Sequence, residues 1–519
     1  LINYMLRSLD PYTIYYPEEK VKDLDLMISG KYAGVGALIR YNFLLKNTVI
    51  DEPYENMPAA EVGLKKGDVI LAIGDSSMVG KDVAYVSNHL RGDAGTTFIL
   101  TIQRPSVNKK MKFKITRRAI QLPAVPYYGV QDGGVGYLNL NSFTTGCAKD
   151  VRRAFLDMKK QGMTSLVFDL RNNGGGSLQE AVNIVNMFVP KGITLVKTVG
   201  KMERANKEYK TTVEPIDTVM PIVVLVNDET ASASEITSGS LQDLDRAVVL
   251  GTRTYGKGLV QVSMDLPYNG NLKLTSSKYY IPSGRCIQAI NYKHANGGYT
   301  EHVPDSLTHV FHTANGREVR DGGGIKPDVE VRPDSLPNIA FYLASSGRDS
   351  TEVMWNWELQ YLKKHPTIGP AKTFVISDAD FEDFKQAVLK SGFKYDRESK
   401  KYLENLVKLA KFEGYYDDAK GEFDALEKKL NHNLAKDLDY NKQTLKKVLT
   451  SDLVSAYYYQ KGSLENSLQF DKQWKKAVEI LKNPAEYKKL LQPVVGQSLV
   501  KLEPASNVAV DKKQKSKAK

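Results

Sequence analysis

Long apolar runs and cysteines are both scarce in this chain of 519 residues. No apolar run approaches the ~18 residues that a membrane-spanning helix needs, so the sequence predicts no such helix. There are only two cysteines, Cys147 and Cys286, too few for a disulfide framework or a cysteine-based metal site. We therefore interpret both as small apolar residues of the interior.

Signals for nucleic acid, nucleotide and metal are also missing. The net charge is +12, but the lysines alternate with acids along the C-terminal third, as on a solvated helix face, so we expect no nucleic-acid partner. The one concentrated basic run is the tail 511–519, which we expect to be disordered. There is no Walker-type loop and no cluster of metal ligands. The sequence therefore predicts no cofactor.

The chain begins at Leu1 rather than methionine, and its opening LINYMLRSLDPY already has the pattern of folded sequence. We expect the natural N-terminus to lie further upstream. The lack of a signal peptide or lipid anchor in this sequence is then no evidence for the cytosol, and membrane anchoring stays open.

Hydrophobic patterning divides the chain into four parts. Residues 1–32 predict a helical segment, and residues 33–118 predict a small β-rich domain with one helical patch. Within residues 119–335 apolar runs alternate with helical patterns, which indicates βαβ units around a largely parallel sheet. Apolar residues at three- and four-residue spacing predict an all-α region over residues 336–519. The predicted fold is therefore α/β and multidomain.

Three loops of the βαβ region carry residues with chemical uses. They are DLRNNGGGS (169–177), NDETASAS (227–234) and TRTYGKG (252–258), and each follows an apolar run. Ligands of open α/β sheets bind beyond the carboxyl ends of the strands. If the three strands are neighbours, one pocket receives a glycine-rich loop, a serine at a helix N-terminus and Lys257.

A serine in this pocket would need a base, because a hydroxyl is a poor nucleophile until its proton is accepted. No histidine lies between residues 177 and 293. Lys257 can serve only as a neutral amine, so its pKa would have to fall by ~3 units through burial. Spacing alone does not choose between Ser232 and Ser234. Ser232-Ala-Ser-Glu235 also matches a capping box, which leaves a purely structural role for Ser232 open.

Several segments resemble one enzyme family in the same order along the chain. TASASEITSGSLQD and RAVVLGTRTYGKGLVQ, within 230–261, resemble the active-site segment of the C-terminal processing (tail-specific) serine proteases, and DLRNNGGGSL (169–178) resembles their glycine loop. LINYMLRSLDPYTIYY (1–16) and LTSSKYYIPSGRCIQ (274–288) extend the resemblance, which covers about residues 1–335. It implies a crotonase-like βαβ core with a Ser–Lys dyad.

The resemblance also implies site residues. Ser232 corresponds to the nucleophile, Lys257 to the general base, and Gln261 to a glutamine that helps to orient the lysine. The implied oxyanion donors are the N–H groups of Ala233 and of one glycine in 174–176. We favour Gly175, because the preceding glycine stands where the family often has proline. Which glycine points inward stays open.

Residues 33–118 resemble the PDZ domain that is inserted in this family, most clearly in PAAEVGLKKGDVILAIG (58–74). YAGVGA (32–37) resembles the loop that binds a peptide's terminal carboxylate. The implied peptide-binding residues are Gly34, Val35, Gly36 and Ala37. An extended peptide adds to such a domain as a strand, and its last side chain enters an apolar pocket.

The resemblance therefore implies a serine endopeptidase that recognises protein or peptide substrates by free, apolar C-termini and acts in the periplasm or cell envelope. For residues 336–519, which match no motif, we expect self-association, binding of an adaptor or restriction of access to the site. Two other function classes stay in play. One is a non-catalytic PDZ scaffold, a pseudoprotease, and the other is a crotonase-like thioester enzyme.

Overall fold

A computed structural model describes residues 1–289, 303–345, 347–430 and 433–493. The basic tail that we predict to be disordered lies outside the described residues. The chain forms two compact units. The βαβ unit comprises residues 1–21, 128–332 and the described residues from 476 onward, and the PDZ–helical unit comprises residues 22–127 and 333–475.

Both units are described with elements numbered in chain order. The strands are β1 (Ile14–Tyr16), β2 (Lys31–Gly34), β3 (Ala37–Asn42), β4 (Asn47–Pro53), β5 (Val69–Ile73), β6 (Ser76–Ser77), β7 (Thr97–Arg104), β8 (Lys109–Thr116), β9 (Arg118–Gln121), β10 (Tyr127–Gln131), β11 (Val135–Asn139), β12 (Ser165–Asp169), β13 (Thr194–Gly200), β14 (Lys207–Lys210), β15 (Ile222–Val226), β16 (Val248–Gly251), β17 (Leu259–Asp265), β18 (Asn271–Tyr280), β19 (Val310–His312), β20 (Glu318–Arg320) and β21 (Val329–Glu330). The helices are α1 (Ile2–Leu6), α2 (Glu18–Ser29), α3 (Pro58–Glu61), α4 (Val83–Leu90), α5 (Cys147–Lys160), α6 (Leu178–Val185), α7 (Ala233–Asp243), α8 (Asn338–Ala344), α9 (Val353–Lys364), α10 (Asp378–Ser391), α11 (Glu398–Glu413), α12 (Lys420–Lys429), α13 (Leu434–Tyr440), α14 (Lys442–Ser467), α15 (Lys472–Leu481) and α16 (Pro484–Leu490).

The βαβ unit is built on a six-stranded sheet in the order β10-β11-β12-β15-β16-β21. The pairs from β11 to β21 are parallel. Strands β11, β12, β15 and β16 are buried along their whole length, which explains why each reads as a continuous apolar run rather than an alternating one. Helices α5 and α6 make crossover connections. The predicted βαβ core is thus confirmed.

A second, antiparallel sheet of the same unit includes a strand from the N-terminal segment. Its order is β1-β18-β13-β14, with β17 also paired to β18. β1 lies within the stretch for which the sequence predicts helix, and it pairs with Asn271–Lys273 of β18. The prediction of helix is wrong at this strand. A strand of three residues is too short to show a period of two, so its sequence cannot be distinguished from the helical pattern on either side.

The β-rich part of the PDZ–helical unit is an antiparallel sheet in the order β3-β4-β5-β7-β8, with β6 paired to β5. Helix α4 packs on one face, and the core includes Ile50, Ile70, Val86 and Leu100. Strands β2 and β9 form a separate antiparallel pair. Because β3 is an edge strand of the sheet, it can accept a further strand.

Helices α8 to α14 lie in the same unit and confirm the predicted all-α region. Helices α8, α9, α10, α13 and α14 share a core rich in aromatic residues, among them Trp357, Phe381 and Phe384. On α9, Trp355 leaves this core and packs against Val49 and Val69 of the sheet. The helical region and the PDZ-like sheet are therefore packed together within one unit.

No helix in the described part of the chain is both long enough and apolar enough to cross a membrane.

Candidate active site

Ser232 lies between β15 and α7, and its backbone is unusual. It is the N-cap residue of α7, with φ 56° and ψ −116°. A capping serine normally has extended backbone, and a positive φ is uncommon for any residue other than glycine. Strain of this kind concentrates at functional sites. The backbone therefore supports a role for Ser232 beyond capping, although the capping-box motif correctly predicts that α7 begins here.

Two of the other serines of this stretch are engaged elsewhere, and all three are buried. Ser234 Oγ donates to the Asn173 carbonyl at 2.8 Å, and Ser238 Oγ donates to the Ser234 carbonyl at 2.9 Å. Ser234, Ser238 and Ser240 are all fully buried, whereas Ser232 is partly exposed. Of the four serines, Ser232 is thus the one that a substrate could reach.

Hydrogen bonds join the three predicted loops at the carboxyl edge of the sheet. Thr230 Oγ1 donates to the Leu170 carbonyl at 2.9 Å, and the Tyr255 N–H donates to the Thr230 carbonyl at 3.0 Å. The Ala231 N–H donates to the Asn173 carbonyl at 3.0 Å. Strands β12, β15 and β16 are neighbours, so the glycine loop, the serine and Lys257 come to one edge, as the sequence predicts.

The buried carboxylate of Glu235 links the serine loop to the lysine loop. Oε2 accepts the N–H groups of Ser232 at 2.9 Å and Lys257 at 2.8 Å. Oε1 accepts Thr254 Oγ1 at 2.6 Å and the Gly256 N–H at 2.7 Å. Burial raises the pKa of Glu235 above its ordinary value, and these hydrogen bonds counteract that rise. Four donors on one carboxylate favour its ionised form.

Lys257 occupies a site that favours its neutral amine. Burial, together with the nearby charge of Lys273, lowers the pKa of Lys257 to about 8, while Glu235 and Asp10 act in the opposite direction. Nζ lies 4.6 Å from the centre of the Tyr12 ring. A pKa near 8 leaves a usable fraction of free base at neutral pH, which general-base catalysis requires.

Two further residues border Lys257. The Tyr279 hydroxyl donates to the Lys257 carbonyl at 2.8 Å and approaches the Ser232 carbonyl at 3.3 Å. Gln261, which the resemblance assigns to orienting Lys257, donates through Nε2 to Thr275 Oγ1 at 3.3 Å. Among the described residues no hydrogen bond joins Gln261 directly to Lys257, so its orienting role stays a prediction.

The two predicted oxyanion donors differ in their surroundings. Gly175 packs so closely on the serine loop that a Cβ there would come within 2.8 Å of Ser232 Cβ and the Ala233 nitrogen. Its own N–H, however, donates to Asn173 Oδ1 at 2.9 Å. The Ala233 N–H lies at the N-terminus of α7, where the helix dipole favours negative charge. The assignment of Gly175 therefore stays a prediction.

The predicted carboxylate-binding residues lie in the PDZ–helical unit between β2 and β3. Gly34 ends β2 and Ala37 begins β3, and the intervening Val35 is buried. Gly36 has φ +74°, and a Cβ there would lie 2.5 Å from Met57 Cβ. Only glycine fits this turn, which leads directly into the edge strand β3.

Sequence reasoning missed the contributions of Tyr12, Glu235 and Tyr279 to the site. The sequence indicated Glu235 only as the partner in a capping box, and Tyr12 only as part of the segment LINYMLRSLDPYTIYY (1–16). Tyr279 carried no signal. No group of three histidine, cysteine or acidic side chains in the described part of the chain is arranged to hold a metal ion, and both cysteines are free thiols.

Fold and site together define a serine-peptidase type of α/β core combined with a PDZ domain. Family models match three parts of the chain: "Peptidase family S41" matches residues 134–294, "PDZ domain" matches 49–104, and "Probable PDZ-protease, C-terminal helical domain" matches 342–481. A probable CtpA-like serine protease of Staphylococcus aureus is 31% identical over 416 residues, which are 78% of this chain and 70% of that protein. The chain belongs to peptidase family S41, in the group of C-terminal processing proteases.

The chain is also similar to two further proteins. The carboxy-terminal-processing protease of Bartonella bacilliformis is 38% identical over 294 residues, covering 56% of this chain and 66% of that protein, just under two thirds of its length. The solved structure of the photosystem II D1 C-terminal processing protease is 28% identical and covers 65% of this chain and 82% of its own. Its TM-score is 0.36, too low to support an inference.

Proposed function

We propose that this protein is a serine endopeptidase in which Ser232 is the nucleophile and Lys257 the general base. The observation that carries the proposal is the single Glu235 carboxylate that accepts the N–H groups of both residues. It supports a fixed relation between a partly exposed, strained serine and a lysine whose pKa is lowered by burial. Neutral lysine paired with serine is an established way to activate a hydroxyl.

The reaction then follows from these groups. Lys257 Nζ accepts the hydroxyl proton as Ser232 Oγ bonds to the substrate carbonyl carbon. The negative oxygen that forms is stabilised by backbone N–H groups, with Ala233 and Gly175 as the proposed donors. Lys257 returns the proton to the leaving amine, the peptide bond breaks and an acyl-enzyme remains on Ser232. Water, deprotonated by the same lysine, hydrolyses the ester.

Substrates are proteins or peptides captured by their C-termini in the PDZ domain. The turn at Gly36 and the free edge of β3 support this, because an extended peptide could pair with β3 while its carboxylate meets the turn's N–H groups. The preference for apolar C-terminal residues, and a location in the periplasm or cell envelope, rest on the family resemblance.

The helical region is proposed to mediate self-association. Residues of α11 at three- and four-residue spacing form an apolar face that is at least half exposed, namely Tyr402, Leu406, Leu409 and Phe412, with Tyr415 just beyond. Buried aromatic side chains cover ~150–250 Å² each, so this face approaches the ~800 Å² per partner of a standard interface. A second copy is the proposed occupant, and an adaptor protein is the alternative.

A digestion with matched tails tests the proposed activity. One unfolded substrate is prepared with a free and with an amidated C-terminus and is incubated with the parent, Ser232→Ala and Lys257→Ala proteins. Cleavage by the parent alone, faster for the free tail, is expected. Undiminished cleavage by Ser232→Ala would remove the dyad, and binding without cleavage by the parent would favour the PDZ scaffold. Turnover of acyl-CoA without peptidase activity would favour the thioester enzyme.

A further inference from the structure

The ring of Tyr12 faces the amine of Lys257, and a network of hydrogen bonds holds it there. Nζ lies 4.6 Å from the ring centre. Asp10 Oδ1 accepts the N–H groups of Tyr12 at 2.8 Å and Thr13 at 2.9 Å. The same oxygen accepts Thr275 Oγ1 of β18 at 2.9 Å. The turn that carries Tyr12 is thus tied to the sheet beside Lys257 rather than left to the exposed N-terminal segment.

Proton transfer places two opposing demands on Lys257. The amine must be neutral before it accepts the Ser232 proton, and it is an ammonium afterwards. Burial favours the neutral form at both stages, so it prepares the base but opposes the product of the proton transfer. Something must stabilise the ammonium without charging the lysine in the resting enzyme.

The charged groups around Lys257 do not meet this need by an ion pair. Asp10 already accepts the donors of its own turn and of Thr275, and Glu235 accepts its four donors. Lys273 repels a second positive charge. No ion pair joins Lys257 to any residue that the structure describes. Among the described residues, the aromatic face of Tyr12 does lie against Nζ and can stabilise a positive charge there.

We propose that Tyr12 is a positioning residue whose ring face stabilises the Lys257 ammonium that forms when Ser232 attacks. This rests on the proposed function. The Ser232 O–H bond breaks, an N–H bond forms on Nζ, and the new charge lies against the negative face of the ring. A carboxylate at this place would keep the lysine protonated at rest, whereas the weaker attraction of a ring leaves a neutral base available.

The proposal is tested by substitutions of Tyr12 that distinguish its aromatic face from mere apolar coverage of the Lys257 amine. Tyr12→Phe and Tyr12→Trp keep an aromatic face and are expected to retain kcat within a few-fold. Tyr12→Leu keeps apolar coverage but loses the face. A desolvated cation–π contact is worth ~2 kcal/mol, so the high-pH plateau of kcat should fall about 30-fold at 1.36 kcal/mol per decade, with KM little changed.

The pH profile supplies a readout that a structural role would not give. In Tyr12→Leu the ammonium loses its stabilisation, the pKa of Lys257 falls, and the acid limb of kcat/KM moves to lower pH. In Tyr12→Ala water reaches the amine, the pKa rises and the acid limb moves to higher pH. The Leu variant therefore has more neutral base than the parent yet reacts more slowly.

Two results would overturn the proposal. One is an equal kcat in the Phe and Leu variants. The other is an acid limb that moves in the same direction in the Leu and Ala variants. If the Leu variant does not fold, phenylalanine analogues of increasing ring fluorination at position 12 keep the shape while weakening the ring face. A steady fall of kcat along that series is expected, and a flat series counts against the proposal. If the dyad is correct, Ser232→Ala and Lys257→Ala lose activity whatever the result at position 12. The activity of these two variants therefore tests the proposed function separately from the role of Tyr12.

Discussion

Glu235 Oε2 accepts the backbone N–H of Lys257 at 2.8 Å, and the same oxygen accepts the N–H of Ser232 at 2.9 Å. The two residues of the proposed dyad are thereby tied through one buried atom. A carboxylate that accepts several N–H groups forms strong, charge-assisted bonds. These hydrogen bonds fix the backbone of the nucleophile relative to the backbone of the base, whichever rotamers the two side chains adopt.

Glu235→Gln should disturb this arrangement. An amide has one oxygen, and its NH₂ group would face N–H donors that it cannot accept. Hydrogen bonds to a charged group contribute ~1.5–3 kcal/mol each, so a loss of stability of about that size is expected. A displacement of ~1 Å between reacting groups can cost 10²-fold in rate, so we expect kcat to fall about 100-fold.

Glu229→Gln is the matched control, because Glu229 lies in the same loop but is exposed. Thermal unfolding and kcat are measured for both variants at equal concentrations of folded protein. The control should match the parent in both. Full kcat per folded Glu235→Gln molecule would show that the dyad does not depend on this carboxylate.

The rate should rise with pH as Lys257 loses its proton. Because its pKa is about 8, the acid limb of kcat/KM should have its midpoint near that pH. Lys273 pairs in register with Ile14 and Ser263, and its charge helps to lower the pKa of Lys257. Lys273→Met should therefore raise that pKa, move the acid limb to higher pH and reduce the rate several-fold at pH 7, with the high-pH plateau unchanged.

An exposed lysine on the same strand provides the control for charge. Lys278→Met removes one positive charge from β18 at an exposed position and should leave the acid limb in place. Rates from pH 6 to 10 are compared for the parent and both variants. An acid limb that moves equally in both would mean that net charge, not proximity to Lys257, sets the effect.

Most of the catalytic core could be predicted from the sequence, because the patterns that indicate its strands and loops are local along the chain. Fully buried parallel strands read as apolar runs, and each loop at their carboxyl ends follows directly along the chain. The place of Tyr12 could not be read in this way, since it meets Lys257 only through the pairing of β1 with β18. The contact of Trp355 with Val49 and Val69 was equally hidden, because helical periodicity shows which face is apolar but not what covers it.

Gly36→Ala should abolish discrimination between free and amidated tails. Gly36 has φ +74°, and an added Cβ would lie 2.5 Å from Met57 Cβ, so the turn must change. Hydrogen bonds to a charged group are worth ~1.5–3 kcal/mol, which predicts a preference of roughly 10- to 100-fold for free tails in the parent. In the variant the ratio of kcat/KM values should fall to unity.

Gly80→Ala is the control that distinguishes a change in the turn at Gly36 from the general effect of backbone strain. Gly80 also has positive φ, at +71°, but a Cβ there meets nothing within 4 Å. This variant should keep the preference for free tails despite a modest loss of stability. If both glycine variants retain the preference, the carboxylate is bound elsewhere.

If two copies associate through α11, a single charge introduced on the apolar face of this helix should weaken the association. Leu406 and Leu409 are each half exposed on the apolar face of this helix. A glutamate there would have to be buried without a partner in an interface between two copies, which is costly. Sedimentation should show the parent associating and Leu409→Glu shifted at least tenfold toward monomer, whereas Lys400→Glu, at an exposed position on the opposite side of α11, should have a smaller effect.

Lys66 is expected to stabilise the packing of the PDZ domain on the helical region. Its Nζ lies 3.0 Å from Glu358 Oε2 and 4.8 Å from the Trp355 ring centre. Burial raises the pKa of Glu358 to about 8 although Lys66 opposes the rise, and burial also raises the pKa of Asp452. Lys66→Met leaves these buried carboxyls without their cation, which should cost ~3–5 kcal/mol when they are ionised.

The pH dependence of this loss has a definite sign. A carboxyl whose folded-state pKa lies above its unfolded value contributes stability at low pH and loses it as pH rises through the folded pKa. Lys66→Met should therefore be most destabilised above pH 8 and closer to the parent at pH 5. All three tryptophans, Trp355, Trp357 and Trp474, lie in the PDZ–helical unit, so urea unfolding followed by their fluorescence reports on this unit. Lys65→Met, at an exposed neighbouring position, should unfold like the parent, and an equal loss in both variants at every pH would contradict a role for the buried pair.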